Sequence, residues 1–135
     1  MATDADKPKA ERALRLVLTT VGSEARARSI ASALIEQRLA ACVHIDAIES
    51  IYEWQGQIES GREWRLLIKT TTERYAEVEA AIRALHDYEL PAILAVPITE
   101  AWSPFGDWVR GQCIPTPEGL ASDCVGSAGA GRALG

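Results

Sequence analysis

Apolar and polar positions alternate in blocks along this chain, and each block has its own period. Residues 14–20, Leu-Arg-Leu-Val-Leu-Thr-Thr, form a short apolar, β-favouring run that reads as a buried strand. Gly22 and Ser23 break it, and the Ser23 hydroxyl is placed to cap a helix. Over 24–38, Ala27, Ile30, Ala31 and Leu34 recur at helical spacing, while Arg26, Arg28, Glu36 and Arg38 face solvent. Residues 40–54 read as a second strand and 57–71 as a third, with Gln55-Gly56 as the tight turn of a hairpin. On the third strand Trp64, Leu66 and Ile68 share one face, and Arg65, Leu67 and Lys69 the other. Thr72-Glu73 opens a second helix whose apolar stripe is Tyr75, Val78, Ile82 and Leu85. After the loop 86–91, residues 92–101 form a fourth strand, where Pro97 points to an edge or a bulge. Ser103 as cap and Pro104 at the first helical position start a short third helix, with Phe105, Trp108 and Val109 on its apolar face.

The order β-α-β-β-α-β predicts an α+β, ferredoxin-like sandwich with both main helices on one face of an antiparallel sheet. Strands 1, 3 and 4 carry apolar residues on both sides, so the second face of the sheet also needs a cover. Strands of about 15 residues reach roughly 50 Å, so the hairpin overhangs its own domain. The overhang carries Ile51, Tyr52, Trp54, Ile58 and Trp64, which are poor residues to leave in water. A neighbouring subunit is the natural cover, with Tyr52, Trp54 and Trp64 as its anchors.

Composition narrows the function classes. The 135 residues suit one domain, with 47% hydrophobic and 24% charged residues. A net charge of -5 without a basic run removes the electrostatic footprint of nucleic-acid binding. No apolar stretch approaches the ~20 residues of a membrane-spanning helix. The polar opening to Arg12 has no secretory apolar core, so the expected location is the cytoplasm. Residues 1–12 read as a disordered lead, 13–111 as the domain and 112–135, rich in Gly, Ser and Ala, as a flexible tail. Three cysteines, an odd number without a C-x-x-C pair, argue against a disulfide framework. Cys113 and Cys124 fall in the tail and are expected to matter little.

Four motifs in order resemble those of the CutA divalent-cation-tolerance family. Leu39-Ala40-Ala41-Cys42 resembles its L-A-A-C segment, and Tyr52-Glu53-Trp54-Gln55-Gly56 its Y-x-W-x-G hairpin tip. Glu63 with Leu66-Leu67-Ile68-Lys69-Thr70 resembles E-x-x-L-x-I-K-T, and His86-Asp87-Tyr88-Glu89-Leu90-Pro91 resembles H-P-Y-E-x-P. The resemblance covers about residues 14–110. It departs where Asp87 replaces a Pro, Ala92 a Glu and His44 an Asn. It implies a homotrimer of ferredoxin-like subunits with a PII-like architecture, and a link to divalent-metal tolerance in which copper is the metal most often named.

The candidate chemistry is sparse. Cys42 and His44 share one face of a strand, and thiolate with imidazole suits copper or another soft divalent metal, with His86 as a further ligand. Against this stands the plainer reading of Cys42 as a small buried apolar residue. Lys69, His86, Tyr88, Glu89 and Glu63 are candidates to line a ligand cleft between subunits, against a reading of the loop as a structural turn and of Lys69–Glu63 as an ion pair. No G-x-S-x-G, P-loop, H-E-x-x-H or Rossmann fingerprint occurs, so the expectation is a non-enzyme. The alternative to a metal-tolerance protein is a PII-like signalling scaffold that binds a small metabolite or a partner protein at intersubunit clefts.

Overall fold

The structure, a computed structural model of the chain, describes residues 13–115. The proposed lead 1–12, the residues from 116 onward and Cys124 therefore lie outside the described residues.

Eight consecutive elements make up the fold. Strand β1 spans Leu14–Val21, helix α1 Glu24–Glu36, β2 Cys42–Trp54 and β3 Gln57–Thr71. A 3-10 turn at Thr72–Arg74 leads into α2, Tyr75–Leu85, followed by β4, Ile93–Ile98, and α3, Ser103–Gln112. The sheet order is β2-β3-β1-β4, with every neighbouring pair antiparallel. This is the split βαβ arrangement: β3 inserts between β1 and β2, and β1 between β3 and β4. The α+β, ferredoxin-like expectation holds for the single chain.

Alternation decides which residues meet the helices. Val17, Thr19 and Val21 of β1 and Leu66, Ile68 and Thr70 of β3 are buried. They pack on Ala27, Ile30 and Leu34 of α1 and Val78 and Ile82 of α2. Thr70 is tolerated there because its hydroxyl donates to the Leu39 carbonyl at 2.6 Å. Among the described residues the opposite face receives no main helix. Leu16, Leu18 and Leu67 are only half-buried on it, and Leu94 and Val96 remain 51% and 45% exposed. A second cluster at the start of β1 joins Leu14 to Val109 and Cys113, with Phe105 and Trp108 packed against it.

Local chemistry sets the boundaries. The Ser23 hydroxyl accepts from the Arg26 amide at 3.1 Å, capping α1. At the other end Arg38 takes φ 58, and the bonds Leu39 N to Leu34 O and Arg38 N to Ile35 O close a Schellman motif without glycine. The Arg38 guanidinium donates to the carbonyls of Ile114 and Gly111, tying the end of α3 to that corner. Gln55 and Gly56, at φ 51 and 81, form the two-residue turn with both residues left-handed that antiparallel strands favour. β4 is an edge strand, the position in a sheet where a proline such as Pro97 is tolerated.

Several expectations are corrected. Ser103 is the first residue of α3, not its cap; Trp102 holds the cap position, without a side-chain bond. β2 begins at Cys42 rather than residue 40, and β4 is shorter than 92–101. α3 runs one residue past the expected domain end at 111, and Cys113 is buried at 3% exposure. Its sulfur lies 3.8 Å from the Thr70 hydroxyl, so this cysteine belongs to the core. Arg26 and Arg38, expected to face solvent, both cap backbone carbonyls across the fold.

Candidate functional site

The hairpin and the loop after α2 build one site. β1 pairs with β3 only as far as Val21 opposite Trp64. Residues 57–63 of β3 therefore pair with β2 alone and project roughly 20 Å beyond the core. Along this projection Ile51 and Ile58 are 78% and 80% exposed. Tyr52 and Trp54 are also exposed, whereas Trp64 packs against the subunit's own core. Trp64 is therefore partly covered by its own chain, unlike Tyr52 and Trp54.

The loop returns toward this projection and is held by His86. Its side chain is fully buried, with Nε2 donating to the Thr20 carbonyl at 2.7 Å and Nδ1 accepting from the Tyr88 amide at 3.1 Å. Both nitrogens are thereby used, so this imidazole orients the loop and offers no free lone pair to a metal. The Arg26 guanidinium bonds the Leu85 carbonyl at 2.8 Å and lies 3.7 Å from the Asp87 carboxylate. With Asp87 in place of proline, this charge contact supplies part of the restraint that a ring would. The Tyr88 ring sits 4.7 Å from that of His86, and its hydroxyl donates to Glu63 Oε2 at 2.8 Å. Burial first, then the Glu63 carboxylate, push the phenol well above its ordinary value, so the hydroxyl stays a donor. Gly22 leaves it room: a β-carbon there would come within 3.2 Å of the hydroxyl oxygen.

Between hairpin and loop lies a cavity of about 680 Å³, lined by Tyr52, Trp54, Glu63, Tyr88 and Glu89 among others. Three of the five expected cleft residues, Glu63, Tyr88 and Glu89, thus meet. His86 supports the cleft from beneath. Lys69 does not belong to it: it stands six residues along β3 from Glu63, roughly 20 Å away. That distance is within one chain, whereas the expected grouping of Lys69 with the loop is one between subunits.

Lys69 instead faces Cys42 across the β2–β3 ladder. Its ammonium donates to His44 Nδ1 and lies 3.9 Å from the Cys42 sulfur. Cys42 Sγ and His44 Nε2 are 3.6 Å apart. Two ligands on one tetrahedral metal ion stand roughly 3.5 Å apart, given metal–sulfur and metal–nitrogen bonds of about 2.3 and 2.0 Å. The pair therefore fits two positions of one soft ion. His86 is not near it, and among the described residues no group of three Cys, His, Asp or Glu converges as a metal site. Lys69 also opposes a metal. An ammonium only donates, so Nδ1 must accept, which leaves the imidazole proton on Nε2, toward the sulfur.

Gly22, Arg26 and Arg65 were not singled out as site residues from the sequence. Arg65 makes a two-point bond to Asp46, at 2.8 and 3.2 Å, on the face between the two sites. For Gly22 the signal was a glycine directly after a strand; for Arg26 no local pattern distinguishes a capping arginine from a solvated one.

Sequence and structure comparisons agree on a family. Its profile, described as CutA1 divalent ion tolerance protein, matches residues 15–112. The Divalent-cation tolerance protein CutA of Thermus thermophilus is 48% identical over 96 residues, covering 70% of this chain and 93% of that protein. The protein of the same name from Archaeoglobus fulgidus is 40% identical over 93 residues, covering 69% and 91%. The solved structure titled periplasmic divalent cation tolerance protein CutA from A. fulgidus superposes with a TM-score of 0.74 at 37% identity, covering 75% of this chain and 99% of that one. The Cys42–His44 strand, the hairpin and the Tyr88 loop all fall inside the matched span, and the chain belongs to the CutA1 divalent ion tolerance family.

Proposed function

We propose that this chain works as a homotrimeric divalent-cation-tolerance protein that takes up copper, or another divalent metal, through Cys42 and His44. Assembly is supported by the uncovered sheet face: Leu94 and Val96, with Leu16, Leu18 and Leu67 beside them, form an apolar surface that one chain leaves in contact with water. A PII-like trimer would bury this face and brace the projecting hairpin. The observation that carries the metal reading is the 3.6 Å separation of Cys42 Sγ and His44 Nε2. A second copy would supply the missing ligands. The reading is of a binding protein and not an enzyme, since the imidazole nearest the cavity has both nitrogens committed to backbone and is no free base. The unpaired thiols of Cys42 and Cys113 suit a reducing compartment, and the cytoplasm is the location that goes with this reading.

Competition for Cu(I) against a coloured chelator tests the site. Cys42→Ser loses most of the copper bound by the native protein. Lys69→Met binds it more tightly, because the proton on His44 is then free to move to Nδ1 and expose Nε2. Equal uptake by all three proteins would rule out the Cys42–His44 site.

A second reading, a PII-like scaffold that holds a small ligand or a partner protein at its clefts, is favoured by the cavity of about 680 Å³ between hairpin and loop. That volume is within the usual range of small-molecule sites, about 300–1,000 Å³.

A further inference from the structure

The His86 side chain is fully buried within its own chain, so its bonds are set before any neighbour is added. Two of them leave the ring no choice of form. A backbone amide only donates and a carbonyl only accepts. Nδ1 must therefore accept from the Tyr88 amide, at 3.1 Å, and Nε2 must carry the proton that goes to the Thr20 carbonyl, at 2.7 Å. Only a neutral imidazole can do both. A charged ring carries a proton on each nitrogen, so Nδ1–H would meet the Tyr88 N–H donor against donor. Histidine is the side chain whose ordinary charge change falls between about pH 5 and 8.

A second acceptor already stands beside the ring. Asp87 Oδ1 lies 3.7 Å from Nδ1, just outside hydrogen-bond length and within a small side-chain movement of it. The other carboxylate oxygen lies 3.7 Å from Arg26 Nη2 on α1. Asp87 thus stands between one permanent cation and one conditional cation. A proline at 87, as in the motif that the loop resembles, would offer neither of them a carboxylate. The remaining groups around the ring divide. Arg26 opposes an added charge, whereas the C-terminus of α2, where His86 holds the cap position, favours it. Glu63 on β3 and Tyr52 on β2 face Tyr88, and β1 contributes the Thr20 carbonyl.

We propose that His86 and Asp87 form a proton switch in the loop after α2. Uptake of a proton at Nδ1 breaks the bond from the Tyr88 amide and makes one to Asp87 Oδ1; loss of that proton reverses both. The Tyr88 backbone is held while the ring is neutral and released when it is charged. The Tyr88 hydroxyl donates to Glu63 on the projecting hairpin, so acid loosens the tie between loop and hairpin. The inference rests on bonds inside one chain and on neither reading of the function.

Nitrogen NMR of the full chain, titrated from about pH 8 to about pH 5, tests it. The two histidine rings and the Tyr88 amide are followed together. At the alkaline end the His86 proton is expected on Nε2. As Nδ1 gains its proton, the Tyr88 amide signal is expected to move with the same midpoint. Asp87→Asn removes the charge that receives Nδ1–H, so the Tyr88 change then needs about tenfold more acid. A Tyr88 amide that stays put while His86 titrates overturns the proposal. So does a His86 ring that never charges over this range, a proton on Nδ1 at the alkaline end, or an Asp87→Asn protein that responds at the native pH. The native titration carries the test alone if the variant misfolds. Light scattering across the same range is expected to give one constant mass. A mass that falls together with the Tyr88 signal would place the change in the assembly and overturn the local switch.

Discussion

At the scale of single residues, several side chains act in places that their neighbours in sequence do not reveal. Cys113 sits after a run that reads as the start of a mobile tail, yet it packs with Leu14 and Val109. Burial raises its thiol above the ordinary value of 9.0, more than the Thr70 hydroxyl lowers it. The neutral thiol is thus favoured in the folded chain, and the sign follows. Its contribution is present in full below pH 9 and is lost as pH rises through the window above it. The melting temperature of the native protein should fall more steeply than that of Cys113→Ala between about pH 8 and 10.5. Parallel curves would mean that Cys113 does not titrate in a buried site. Tyr88, also raised, is common to both proteins and cancels in the comparison. Sequence spacing paired Cys42 with His44 correctly because two residues along a strand must share a face. Nothing local states the β2–β3 register, so the position of Lys69 opposite Cys42 was not legible.

At the scale of elements, nearly every helix and strand is legible in the hydrophobic period, because each has one face that must be dry. The ends are less legible. α1 stops through a left-handed Arg38 where glycine is the usual signal, and α3 is capped at Trp102 although serine and proline together suggested a cap one residue later, at Ser103. The hairpin turn is the clear case: Gln55-Gly56 announces itself, and the strands on either side pair in full register to Trp54 opposite Gln57. Gly56 has open space around it, so a side chain there is resisted by the backbone alone. Gly56→Ala should cost about 1–2 kcal/mol, the penalty of a left-handed L-residue. Gly61 also has open space but no positive φ. Gly61→Ala should therefore be neutral or slightly stabilising. Hydrogen exchange at the hairpin tip reads both, with faster exchange expected in the first variant only. Equal exchange in the two variants would contradict a turn with positive φ at Gly56.

At the scale of the whole molecule, one chain leaves two surfaces unfinished. The helices cover one side of the sheet; the other shows Leu94 and Val96 to water, and the hairpin carries Ile51 and Ile58 out beyond the core. Among the described residues no helix is long and apolar enough to cross a membrane, so a spanning helix is not what these surfaces serve. A second and third copy of the same chain would cover the sheet face and give the hairpin a wall to lie against. The need for a cover was already visible in β1, β3 and β4, whose apolar residues fall on both sides. The identity of the cover was not, because self-association and binding to another protein leave the same apolar mark on one chain. Size-exclusion chromatography with light scattering at micromolar concentration decides it most directly. The account predicts a single species of three times the 14.6 kDa chain mass; a species of one or two chains would contradict it.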